Sequence, residues 1–222
     1  MAYDHEEQEQ LASLSAWWKR YGNLTSWVLI VALAGYSGWA GWQYYQRTQS
    51  AQAGQLYDEL QGAIAAKDAA KIQRAAADMQ SRFGSTSYAQ MSGLAAAKAA
   101  FEANDLKTAK AQLNWVAEHG SEEYKVIAKL RLAGVLLDEK AYDDALKALS
   151  GASVPQFAGA VADRKGDILV AQNKLADART AYLAAFTATD KNNPGRQLIQ
   201  VKLEAIGGSV PEEKAKAAPA AA

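Results

Sequence analysis

The sequence has no cysteine, which excludes a disulfide framework, thiolate metal sites and thiol catalysis, and is compatible with an oxidising compartment. It has no excess of either charge. The 24 basic side chains are matched by 24 acidic ones, so no global field draws the chain to nucleic acid or to acidic lipid. Histidine is nearly missing: His5 lies in an acidic head and His119 stands before Gly120 at a helix end. The two provide neither a paired metal site nor a His-assisted nucleophile within one domain, and His119 is expected to help end its helix. No phosphate-binding loop or dinucleotide fingerprint occurs. The paired acids Glu122-Glu123 and Asp143-Asp144 stand at helix starts, where the helix dipole favours negative charge without catalysis. The expectation is a protein that is not an enzyme, with no catalytic, cofactor-binding or metal-ligating residues, no small-molecule substrate and no nucleic-acid partner.

What the chain does have is an uncharged run between Tyr21 and Gln46, preceded by Lys19-Arg20 and closed by Arg47. The 21 residues from Leu24 to Tyr44 reach roughly 31 Å at helical rise, which matches a hydrocarbon core of about 30 Å. Trp17, Trp18, Tyr21 and Trp27 crowd one end and Trp39, Trp42, Tyr44 and Tyr45 the other, where amphipathic rings prefer the headgroup boundary. Ala32-Leu33-Ala34 has the small-x-small form of a signal peptidase site, so a cleaved, secreted repeat protein serving as an envelope-assembly scaffold is the alternative reading. Against cleavage stand a 23-residue head holding Asp4, Glu6, Glu7 and Glu9, and apolarity that continues to Tyr45. Two basic residues on the amino side outweigh Arg47, which is alone until Lys67, and this bias favours a cytoplasmic N-terminus. Within the run, Ala34 and Gly38 are four apart, as are Ser37 and Gly41, a small-residue stripe suited to close packing of membrane helices.

The expected organisation is a cytoplasmic amphipathic head at 1–22, a transmembrane anchor at 23–46, a helical domain at 47–208 and a tail at 209–222. In the head, Leu11, Leu14, Trp18 and Tyr21 follow helical spacing, and Gly22-Asn23 offers a stop. The tail is a low-complexity run of Ala, Lys, Glu and Pro with nothing large to bury, and is expected to be disordered.

From Ser50 onward apolar residues keep helical spacing, so the domain reads as all-α. Ala53, Tyr57, Leu60 and Ile64 line one face, and Ile72, Ala75, Met79 and Phe83 line a second helix ending before Gly84. Internal similarity decides the architecture. Asn104 to Leu113, Lys140 to Leu149 and Asn173 to Tyr182 align with a shared alanine at Ala109, Ala145 and Ala178, intervals of 36 and 33 residues. That spacing brackets the ~34 residues of a tetratricopeptide repeat. Small Ala109, Ala145 and Ala178 let the two helices of a hairpin approach, while Leu106, Tyr142 and Leu175 plug the turns. The preceding A helices span 88–103, 122–138 and 156–172, with Leu94, Ile127, Leu130, Leu136, Val161, Ile168 and Leu169 as core candidates, Ser121 as an N-cap and Pro155 in a first turn. Ala100 stands where a tyrosine is usual, and the hairpin at 53–83 matches weakly. Arg196 to Ile206, with Ile199, Leu203 and Ile206 on one face before Gly207-Gly208, caps the solenoid.

A short repeat array has a concave face made by its A helices, where peptides dock. By repeat position Lys98, Phe101, Glu102, Asp138, Asp163 and Asp167 face it.

The chain resembles the YfgM family, ancillary subunits of the SecYEG translocon. The likeness is carried by Glu6-Glu7-Gln8-Glu9-Gln10 with Leu14, Trp17-Trp18-Lys19 and Gly22-Asn23, by Asn104-Asp105-Leu106 with Ala109, and by Gln197 to Leu203. The resemblance implies an inner-membrane, single-pass protein with a periplasmic repeat domain, associated with SecYEG, with the membrane-bound chaperone PpiD and with periplasmic chaperones. It brings no catalytic residues.

Overall fold

The computed structural model describes residues 3–210, with side chains from Leu11 onward. His5, Glu6, Glu7 and Glu9 therefore contribute no described side chain, and the tail from Pro211 lies outside the described residues. Among the described residues every regular element is helical: α1 (Tyr3–Ala65), α2 (Ala69–Phe83), α3 (Ser87–Glu102), α4 (Leu106–His119), α5 (Glu122–Asp138), α6 (Tyr142–Ala148), a 3-10 turn (Pro155–Phe157), α7 (Ala158–Ala171), α8 (Leu175–Ala188) and α9 (Gly195–Ala205). The chain divides into two compact units, Met1–Gln52 and Ala53–Ala222.

The first unit belongs to α1. Its side chains are almost all exposed, including Trp27, Val28, Leu29, Ile30, Val31, Leu33 and Trp39. This helix is long and apolar enough to cross a membrane. The helix does not stop at Gly22-Asn23, because neither residue takes the left-handed conformation that ends a helix. Instead, the missing Gly22 side chain leaves room for the Trp18 indole, whose Cε2 would lie 3.1 Å from a Cβ there. A lone interior glycine costs a helix only about 1 kcal/mol relative to alanine.

The second unit is a stack of helical hairpins built on one repeated turn. Lys67, Asn104, Lys140 and Asn173 all take left-handed φ, at 54°, 59°, 61° and 59°. After each, the next backbone N–H reaches back to close the preceding helix: Asp68 to Ala63, Asp105 to Ala100, Ala141 to Leu136 and Lys174 to Leu169, at 2.8 to 3.0 Å. The 53–83 hairpin, weak in sequence, thus carries the same turn as the other three. In the first two turns the carboxylates of Asp68 and Asp105 accept the backbone N–H of Lys71 and Thr108 and start the next helix. Hydrogen bonding holds both carboxyls below the usual aspartate value, first from the Lys71 backbone N–H at Asp68 and first from the Thr108 side chain, then its backbone N–H, at Asp105.

Five residues after the turn, Ala109, Ala145 and Ala178 are each fully buried. Seven residues before the turn the A helices are also small, at Ala97, Ala133 and Gly166; Ala133 packs in one cluster with Ala145, and a Cβ at Gly166 would collide with the Tyr182 ring. Leu106 and Tyr142 are half-buried at the turns, whereas Leu175 is more open, 37% exposed. Leu94, Ile168 and Leu169 are buried as expected, but Ile127, Leu130, Leu136 and Val161 are only half-buried. Helix α5 packs against α4, α6 and α7, so its deepest positions go to Val126, Ala128, Leu132, Ala133 and Val135. Ser121 is the N-cap of α5, though its hydroxyl bonds the Glu123 carboxylate instead of a backbone N–H, and Pro155 opens the 3-10 turn ahead of α7. His119 Nδ1 donates to the Trp115 carbonyl at 3.0 Å and its ring stacks on the indole, finishing α4.

Each B helix also grips the end of the next A helix. Lys110 binds Glu139 at 2.7 Å, Asp143 accepts from Gln172 at 3.0 Å, and Arg179 donates to the Ile206 carbonyl at 2.7 Å. Helix α9 buries Ile199 and Leu203 against α8 and closes the stack.

Replacing Ala109 by Leu forces volume into a site with no room. Urea unfolding of Ala109→Leu should give a stability loss of about 1–3 kcal/mol. Lys107→Ala, on the exposed side of the same helix, should change stability by less than about 0.5 kcal/mol.

Candidate functional site

Three A helices supply one groove. From α3 come Ala97, Lys98 and Phe101, from α5 Arg131, Gly134, Val135 and Asp138, and from α7 Arg164, with Leu113 of α4 in the floor, enclosing about 330 Å³. The helical period explains the set, since residues three and four apart share a face. Phe101 leaves 40% of its surface in solvent although it is large and apolar. Arg164 lies over Gly134, its guanidinium atoms 3.8 to 3.9 Å from where a Cβ would stand, an ordinary contact distance, so an alanine fits there and only a side chain longer than a methyl group would press on the arginine.

The cations of this groove keep hydrogen-bonding capacity. Arg131 Nη1 makes one long bond, 3.4 Å, to the Leu94 carbonyl, and Arg164 lies 3.8 Å from Asp167. Lys98 pairs with Glu102 at 3.6 Å, and both side chains are mostly solvated. A guanidinium has five N–H donors in a planar fork, so each arginine retains donors for an arriving carboxylate.

The structure divides the six residues expected on the concave face. Lys98, Phe101 and Asp138 line the groove. Glu102 borders a neighbouring cleft of about 230 Å³ between Ile64, Ile72, Ala96, Ala99, Ala100 and Ala103. Asp163 and Asp167 are engaged inside the stack: Lys202 of α9 binds both Asp163 oxygens at 2.9 Å and Asp167 at 2.8 Å, and the Tyr182 hydroxyl donates to Asp167 at 2.8 Å. Arg131, Gly134 and Arg164 were missed. The signal was available, because Arg131, Gly134 and Asp138 follow one another at spacings of three and four.

The Lys202 cluster is electrostatically tight. Burial works against the Lys202 ammonium, but hydrogen bonds from it to Asp167 and Asp163 outweigh that and hold its pKa above the usual 10.5. Burial, then the hydrogen bond to Asp167, pushes the Tyr182 phenol far above its usual range. Among the described residues no group of three or more His, Cys, Asp or Glu side chains is arranged to hold a metal ion. In α1, Ala34, Ser37, Gly38 and Gly41 are exposed, and a Cβ at Gly38 or Gly41 would meet nothing within 4 Å.

Comparison with known proteins gives a consistent result. A family model described as a tetratricopeptide repeat-like domain matches residues 15–208. The ancillary SecYEG translocon subunit of Neisseria gonorrhoeae is 30% identical over 93% of this chain and 100% of its own length. The chain belongs to this family. The Haemophilus influenzae ancillary SecYEG translocon subunit is 32% identical over 82% of this chain and 89% of its own. That of Escherichia coli is 31% identical over 52% and 56%. No solved structure matches. The tetratricopeptide repeat-like family model takes in the apolar run of α1 and every hairpin, and ends at the Gly207-Gly208 turn.

Lys202→Met keeps the aliphatic stem, takes the ammonium from Asp163 and leaves Asp167 to the Tyr182 hydroxyl and Arg164, and its urea midpoint at neutral pH should fall by the equivalent of about 1–3 kcal/mol. Since the folded Lys202 pKa is raised, its contribution is whole below 10.5 and is lost as pH climbs through the raised value. The gap between Lys202→Met and the unaltered chain should therefore narrow only in alkaline solution.

Proposed function

We propose that this chain is a non-enzymatic adaptor of the cell inner membrane that associates with the SecYEG translocon and assists export and folding of envelope proteins. The observation that carries the reading is the end-to-end match to a relative named as an ancillary SecYEG translocon subunit. A helix with the length and composition of a membrane span, and a repeat domain with an open groove, support it. In this reading residues 1–22 are cytoplasmic, 23–46 cross the bilayer and 47–208 form the periplasmic repeat domain. The stripe Ala34, Ser37, Gly38 and Gly41 is the face offered to a neighbouring membrane helix. Lys98, Phe101 and Asp138, with Arg131 and Arg164, form the surface offered to periplasmic partners, PpiD and other chaperones among them. Glu102, Asp163 and Asp167 support that surface from its edges.

The absence of cysteine makes the topology directly measurable. In spheroplasts, a membrane-impermeant maleimide should label Ser150→Cys and spare Ser13→Cys, two exposed positions in a chain with no other thiol. Tagged chain solubilised in mild detergent should bring SecY with it, and its intact mass should retain the residues before Gly35. A mature start at Gly35 overturns the anchored reading in favour of a secreted scaffold. Absence of SecY from the purified material overturns the translocon association.

A further inference from the structure

Helix α9 closes the stack, yet its backbone repeats the pattern of an A helix. Gly207 takes left-handed φ of 74° where Asn104, Lys140 and Asn173 do. The Gly208 N–H returns to the Leu203 carbonyl and Gly207 to Glu204, as Lys174 returns to Leu169 and Asn173 to Val170. Arg179 holds the residue before that turn, Ile206, just as Lys110 and Asp143 hold Glu139 and Gln172. In this shared frame Leu198 stands nine residues before its turn, the place of Arg131 and Arg164, and Val201 stands six before, the place of Lys98 and Gly134.

The place nine before the turn lines the groove in α5 and α7 and the place six before lines it in α3 and α5, whereas six before its turn α7 carries Asp167, held by Lys202. Leu198 and Val201 are 58% and 55% exposed, whereas Ile199 and Leu203 on the packed side of the same helix are buried. A helix serving only as a cap has its polar side outward. Here the concave register positions are apolar, so α9 continues the surface as a further A-type helix.

The surface then has an order along the stack. Phe101 is apolar at the α3 end, Arg131 and Arg164 are cationic in the middle, and Leu198 and Val201 are apolar at the α9 end. Of the acids near the concave face, Asp163 and Asp167 are held by Lys202, Asp167 also lies 3.8 Å from Arg164, Glu102 pairs with Lys98, and Asp138 lines the groove beside the arginines. We infer that the concave face takes a peptide segment of a partner chain with an acidic centre flanked on both sides by large apolar residues. The carboxylates are bound by Arg131 and Arg164 and the flanks by Phe101 and by Leu198 with Val201. This deepens the adaptor reading and rests on it, naming the segment that the proposed surface accepts. Charge complementarity selects the centre, because a guanidinium fork matches a carboxylate and repels an ammonium.

The test uses the full chain in nanodiscs and fluorescein-labelled peptides of equal length on a glycine-serine frame. Each varies four positions set three residues apart in the frame, so that the outer two, at ~3.4 Å per residue, span the three helix spacings of roughly 8–10 Å from α3 to α9. Named by those four positions, one is Leu-Glu-Glu-Phe, a second Leu-Gln-Gln-Phe, a third Leu-Lys-Lys-Phe and a fourth Ser-Glu-Glu-Ser, with empty nanodiscs as the blank. The Leu-Glu-Glu-Phe peptide should bind at least about tenfold more tightly than each of the others, and less tightly as salt rises. Arg131→Gln with Arg164→Gln should remove about tenfold of that affinity and abolish the preference over Leu-Gln-Gln-Phe. Leu198→Ser with Val201→Ser, both exposed, should weaken binding about fivefold with an unchanged melting temperature, an ordinary scale for an interface anchor. Asp138→Asn, which removes the like charge, should tighten it and serves as a control that does not depend on the arginine variants folding. Equal or better binding of the lysine peptide, no binding of any peptide, or no effect of the Leu198 and Val201 changes overturns the inference. SecY recovered with the unaltered chain in the same preparation keeps the adaptor reading standing whichever way the peptides behave.

Discussion

The close approach of two helices across a fully buried alanine is the constraint on which the repeat domain depends. Ala109, Ala145 and Ala178 have no exposed surface, and a methyl group is the largest side chain that lets the paired backbones come this near. The left-handed residue five positions earlier sets the angle at which the second helix leaves. Lys and Asn, not Gly, hold that conformation here. Left-handed geometry costs an L-residue roughly 1–2 kcal/mol, so the closing backbone hydrogen bond, joined by the packed alanine in the three hairpins that carry one, must offset it. A repeated turn of this kind is a consequence of packing, and local propensity alone would not select it.

From that constraint follows the site. Because each hairpin repeats the same turn, the A helices α3, α5 and α7 present equivalent positions side by side, and side chains far apart in sequence come to one groove. Small residues serve two purposes in the same helices. Gly166 admits the Tyr182 ring on the packed side, and on the open side Arg164 lies over Gly134 at ordinary contact distance from where a Cβ would stand. The Lys202 cluster uses neighbouring positions of α7, where Asp163 and Asp167 tie α9 down and Asp167 lies 3.8 Å from Arg164. One helix therefore holds both the ion cluster that fixes α9 and a cation of the groove, brought side by side by the helical period.

The fold was largely legible because its signals are periodic. The shared alanines, the intervals of 36 and 33 residues and the apolar run each have one physical meaning. The first hairpin was obscured because Ile72 occupies the alanine position, and only the backbone at Lys67 reveals its kinship. The site was less legible. Lys98, Phe101 and Asp138 were found by repeat position, but Asp163 and Asp167 looked equally available until Lys202, more than thirty residues on, was seen to bind them. Charge alone does not tell a surface acid from one committed to a distant partner. Gly22-Asn23 misled for a related reason, since a glycine stops a helix only if the chain turns there, and here Trp18 covers it.

The anchor and the groove gain from being one chain. A groove of about 330 Å³ with an apolar rim and two arginines offers few contacts, and short peptide segments docked on such surfaces leave little free energy after the cost of ordering them. Tethering changes the arithmetic without adding a contact, because two sites joined by a short connection meet at effective concentrations near the millimolar range. For an adaptor held beside an export channel, a weak groove is then sufficient, and a tight one would keep a segment that has to be released. The exposed apolar surface of α1, which would drive aggregation in water, is in this setting what makes a modest binding surface effective.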